Sequence, residues 1–115
     1  MLPQGRGFKA FFDQDVHAVS AYLTNEPYYL ERAGIPYNII YPSSYGIDFY
    51  GDCLFTSQMM LKESPETVRA FRTASLRGWR YAMNNHGEVI DYIRRHYQVN
   101  KTREHLLYEA QAMLD

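Results

Sequence analysis

From Ser64 onward every local signal in this 115-residue chain is helical, which confines any sheet to its first half. Ser64 suits an N-cap, Pro65 the first helical position, and Glu66 meets the positive end of the helix. Val68, Phe71, Ser75, Gly78, Trp79 and Ala82 then recur at helical spacing until Asn84-Asn85-His86-Gly87 breaks the run. A second helix carries Val89, Ile90, Ile93 and Tyr97 on one stripe. Thr102 caps a third, whose Leu106, Leu107, Ala110, Met113 and Leu114 form a regular apolar face.

The first half is mixed. Gly7 to Phe12 suits a short helical turn. Val16 to Leu23 has small and β-branched residues on both alternating faces and reads as a buried strand. Thr24-Asn25-Glu26-Pro27 offers an N-cap with proline near the first turn, predicting a short helix that runs to Ala33 and is ended by Gly34. Tyr37 to Tyr41 reads as a second strand closed by Pro42. Strand, short helix, strand is a βαβ-like unit, so the expected fold class is α/β, a βαβ half followed by a three-helix half.

A length of 115 residues suits one domain. The net charge of −1 provides no basic field for nucleic acid or an acidic membrane, and Arg69, Arg72, Arg77 and Arg80 read as a solvated helix face. No apolar run approaches the ~20 residues of a membrane span, and Met1 to Gly5 lacks the pattern of a signal peptide. The single cysteine, Cys53, lies in a strand-like Leu-Phe-Thr run and reads as an inert buried thiol. His17, His86, His96 and His105 are far apart, none in a motif with two ligands one helical turn apart, so each reads as structural, His17 packed in or beside a strand. With no phosphate loop, nucleophile elbow or dinucleotide fingerprint, the expectation is no catalytic residue, no metal and no cofactor.

What stands out is the aromatic content, 11 Tyr, 6 Phe and 1 Trp, of which three Tyr and two Phe fall in the stretch YPSSYGIDFYGDCLFTS from Tyr41 to Ser57. Flat rings with a polar handle suit both cores and ligand clefts. Thr24-Asn25-Glu26 follows the C-terminal end of the first expected strand, where ligands meet open α/β sheets. The residues alone leave two readings open: a ligand site, or Tyr22, Tyr28 and Tyr29 as core with Glu26 as a helix-start carboxylate.

Read in order, AYLTNEPYYLERAGIPYNIIYPSSYGIDFYGDCLFTS, FRTASLRGWRYAMNN and REHLLYEAQAMLD resemble the type 2 periplasmic solute-binding domains related to thiamine-pyrimidine-precursor binding proteins. The closest likeness is to versions fused to membrane-bound histidine kinases and diguanylate cyclases. The resemblance runs from about Val16 to Leu114. It implies a two-lobed α/β clamp, with residues 16–41 in the second lobe, 42–52 as the hinge crossing and 53–115 as a strand and helices of the first lobe. Gly46 and Gly51 would then absorb unusual backbone angles at the hinge, with the tyrosines facing the cleft. Glu26 matches the position whose acid contacts the ligand in related pyrimidine-binding proteins, with Asn25, Tyr45, Tyr22 and Asp48 as further candidates. Asp48 and Asp52 could equally cap turns.

The resemblance further implies a non-enzymatic, periplasmic or extracytoplasmic domain. It would bind a pyrimidine-like or other small nutrient and feed either a membrane-bound signalling output or an ABC importer. The alternative is a pyrimidine-precursor synthase, whose relatives carry a cysteine-rich iron-binding motif and a donor histidine; nothing comparable surrounds Cys53. Type 2 domains are considerably longer than this chain, so apolar surfaces are expected to drive a dimer or exchanged assembly. In the intact clamp, Glu26→Ala is expected to weaken ligand binding and leave the melting temperature nearly unchanged.

Overall fold

The computed structural model describes residues 4–48 and 50–114; Phe49 of the tyrosine-rich stretch and Asp115 at the end of the expected first lobe lie outside the described residues. Helices α1 (Gln4–Phe12), α2 (Glu26–Arg32), α3 (Gln58–Glu63), α4 (Pro65–Asn84), α5 (His86–His96) and α6 (Arg103–Ala112) are joined by irregular chain and one 3₁₀ turn, Pro42–Tyr45. No strand forms among the described residues. The expected βαβ unit is therefore represented only by its helix, because residues 16–23 and 37–41 have no ladder partner. A strand exists only by pairing, which a local pattern does not supply. His17, expected beside a strand, is correspondingly exposed.

The chain divides into two compact units, one holding the described residues up to Tyr37 together with those from Asn85 onward, the other Asn38–Asn84. In the first, Pro27, Tyr28 and Leu30 of α2, Ile90 of α5, and His105 and Ala110 of α6 are the buried helical residues. α1 joins them through Phe8, whose ring lies 5.2 Å from Phe12 and 6.1 Å from Tyr29. Gly34 ends α2 at φ +66°, a left-handed conformation that frees its N–H to donate to Glu31 O and lets Ile35 N–H donate to Leu30 O, both at 3.0 Å. This pairing satisfies the last carbonyls of the helix. Gln14 does the same after α1 at φ +62°, with Gln14 N–H donating to Phe11 O and Asp15 N–H to Ala10 O. There the left-handed residue carries a side chain, at a cost of roughly 1 kcal/mol.

α6 starts where the Thr102 hydroxyl accepts the His105 N–H at 3.2 Å. It packs on α5, and Arg103 Nε donates to Asp91 Oδ1 at 2.8 Å across that seam. The regular apolar face expected of α6 is corrected: Met113 and Leu114 are exposed, and beside Ala110 the buried position belongs to His105.

The second unit has the opposite character. The 3₁₀ turn closes at Gly46, φ +73°, with Gly46 N–H donating to Ser43 O and Ile47 N–H to Pro42 O, both at 3.1 Å. Gly51 does not share that left-handed backbone. α3 starts on Ser57, whose Oγ accepts the Met60 N–H at 3.0 Å, and α3 packs against α4. No described residue between Asn38 and Asn84 is buried. Tyr50, Phe55, Phe71 and Trp79 stand 91%, 89%, 61% and 59% exposed. The stripe expected on α4 is thus present as a pattern but uncovered along Phe71 and Trp79. Cys53 is also exposed, correcting the expectation of a buried thiol.

Candidate ligand-binding site

The candidate residues at the start of α2 form one locally closed turn. Asn25 N–H and Glu26 N–H both donate to Tyr22 O, at 3.0 and 3.3 Å. The Glu26 carboxylate folds back over the same turn: Oε2 accepts the Tyr22 N–H at 2.7 Å and Oε1 accepts the Asn25 side-chain amide at 2.9 Å. This carboxylate lies in the first turn of α2. Asn25 occupies the N-cap position without making a side-chain cap hydrogen bond; its side-chain amide N–H donates to Glu26, and its Oδ1, the atom that would accept a cap bond, is not used. Its Oδ1 is buried with no hydrogen-bond partner among the described residues. Such an atom is costly to leave unmet, by about 1–3 kcal/mol, unless something donates to it.

Glu26 therefore does hold the helix start, as one of the two sequence readings has it, and the Tyr22 ring is 71% exposed rather than core. Tyr28 is buried and Tyr29 half-exposed. These three tyrosines divide by role: Tyr28 is packing, Tyr29 packs on one side only, and Tyr22 is available surface. Tyr45, Gly46, Asp48 and Gly51 belong to the other unit, where Tyr45 is 72% exposed and Asp48 and Gly51 are exposed. The structure thus brings together Tyr22, Asn25 and Glu26.

Behind this turn lies a polar and aromatic cluster that sequence reasoning missed. The Tyr28 ring stacks on His105 at 4.2 Å and 13°, and Tyr29 meets the same imidazole edge-on at 4.8 Å. The Tyr28 hydroxyl pairs with Thr102 Oγ1 at 3.2 Å and accepts from Arg32 at 3.1 Å, and Arg32 also donates to Glu104 at 2.9 Å. Bonding to Thr102 first, and to Arg32 second, draws the Tyr28 phenol below its ordinary range. His105 is 2% exposed and its Nε2 has no partner among the described residues. Desolvation pushes this imidazole below the usual histidine range. No local signal marks it, since its partner helix lies at the other end of the sequence.

In the second unit, Leu54, Phe55, Thr56, Met60, Thr67, Val68, Phe71 and Arg72 line an open, largely apolar hollow of about 300 Å³. Of the four α4 arginines, Arg72 edges this hollow and Arg69 pairs with Glu66. No group of three His, Cys, Asp or Glu side chains converges as metal ligands would among the described residues, and no described helix is long and apolar enough to cross a membrane.

Residues 3–89 match the family model described as NMT1/THI5 like, a span holding both the Asn25-Glu26 turn and the tyrosine-rich stretch. The chain belongs to that family of largely solute-binding proteins, which includes components of ABC transporters and also a synthase. The family is typically periplasmic, binds small-molecule ligands and has a periplasmic-binding-like fold. No curated protein and no solved structure matches the chain.

Proposed function

We propose that the chain serves as a non-catalytic small-molecule-binding domain that grips a small nutrient at the start of α2 and releases it unchanged. The observation that supports this reading is the surplus of acceptors at the Asn25-Glu26 turn. Asn25 Oδ1 is unmet, and the carboxylate beside it has lone pairs beyond the two hydrogen bonds it accepts. Such a turn suits a ligand rich in N–H donors, a heterocyclic amine or amide, with the exposed Tyr22 ring offering a flat apolar face. In this reading the domain is a periplasmic two-lobe clamp, with Gly46 and Gly51 as hinge positions, Tyr45 and Asp48 as further ligand contacts, and closure read by a signalling output or an importer.

Titration calorimetry with aminopyrimidines tests the assignment. Glu26→Ala should weaken binding tenfold or more, about 1.4 kcal/mol; an unaltered Kd would remove Glu26 from the site. The variant should also lose about 1 kcal/mol of stability, since the Tyr22 N–H and the Asn25 amide lose their acceptor. Glu26→Gln keeps an acceptor for Tyr22 and separates the two effects. Recovery of unaltered ligand by mass spectrometry supports pure binding, whereas a new product on iron addition would place the protein with the synthases.

The uncovered rings of the second unit support self-association, since contiguous apolar surface of this kind drives contact between copies. Light scattering at micromolar concentration should give a dimer mass that falls to monomer in Phe55→Ser/Phe71→Ser. A monomeric wild type would overturn the assembly.

A further inference from the structure

We infer that His105 is a proton-operated latch between α6 and α2, so that acidification loosens the helix whose start carries Asn25 and Glu26. The latch is geometric. A flat imidazole lies against the Tyr28 face and the Tyr29 edge, almost wholly out of water, with Nε2 facing no acceptor. Neutral, it packs as an aromatic ring. Protonated, it carries a charge into a place almost without water, and with both ring nitrogens then donors the Nε2 proton has no acceptor.

The surrounding charges do not reverse this. Glu26 of α2 and Glu109 of α6 act to favour the imidazolium and Lys101 to oppose it, yet burial is the largest influence. Glu109 is already paired with Lys101, and both Glu26 oxygens already accept hydrogen bonds at the turn. The Tyr28 hydroxyl is engaged with Thr102 and Arg32. On α5, Asp91 is bound to Arg103, and at α1 Lys9 is paired with Asp13. The Tyr28 face gives a cation some attraction, which a Phe in place of Tyr28 would also give.

The sign follows from linkage. The unfolded histidine takes up its proton near pH 6.5, the folded one only at lower pH, so the unfolded state binds more protons in between. Stability is full above about pH 6.5 and is lost as pH falls toward the depressed folded value, by at most tenfold in the opening equilibrium per pH unit.

Hydrogen exchange on the whole chain, corrected for intrinsic rates, tests the latch. Between pH 6.5 and 5.5, protection in α2 and α6 should fall by several-fold, and His105→Phe should flatten that fall while keeping the stack. Unchanged wild-type protection, or an equal fall in the variant, overturns the proposal. Should His105→Phe not fold, the wild-type NMR titration decides alone: His105 should titrate below the ordinary histidine value of about 6.5, and a midpoint at or above it sinks the proposal. Neither readout involves a ligand, so the latch stands or falls separately from the binding reading.

Discussion

Tyr28→Ala should unfold the first unit outright. The ring stacks on His105, touches Tyr29 and Tyr108, and lies 5.9 Å beneath the Arg32 guanidinium, so truncation empties the centre of the α2 and α6 packing. Loss of a buried aromatic costs about 3–5 kcal/mol, comparable with the whole stability of a small domain. Few other described side chains are buried to absorb that loss. Amide exchange in α2 and α6 should approach unprotected rates. Tyr28→Phe, which retains the stack and removes only the hydroxyl that meets Thr102 and Arg32, should cost about 1 kcal/mol. Equal effects of the two substitutions would show that the hydroxyl, not the ring, holds the helices.

Ile90→Ala is expected to rank second. Ile90 is 5% exposed and is the buried residue of α5, the helix that packs on α6. Removing three carbons there should cost about 2–5 kcal/mol, the spread reflecting how far the site can collapse. On the same helix Tyr92, 52% exposed, provides the contrast: Tyr92→Ala should stay within about 0.5 kcal/mol of wild type. Urea unfolding followed by helical circular dichroism reads both, and a midpoint shift at constant slope identifies a stability change. If Ile90→Ala leaves the midpoint unmoved, α5 contributes nothing to the core.

What could be read in the residues was what neighbouring residues decide. Pro65 and Thr102 start α4 and α6, and Gly34 ends α2, because capping is settled within four or five positions. α3 escaped because six residues behind the Ser57 cap carry too little periodicity to stand out from the tyrosine-rich stretch. The strands failed for a different reason: Val16 to Leu23 and Tyr37 to Tyr41 have strand-like composition, but composition does not provide a ladder partner. Glu26 was legible as a candidate, and its engagement with Tyr22 is a contact four positions apart. His105 was not, since its burial depends on Tyr28 from a distant helix, while the leucines beside it promised an apolar face.

The 20-residue α4 lies in a unit none of whose described residues is buried. Such a segment has no interior from which to draw cooperativity, so its persistence is lent by neighbours rather than owned. Substitutions along α4 should accordingly register as changes in association and scarcely at all in the melting of the rest of the chain.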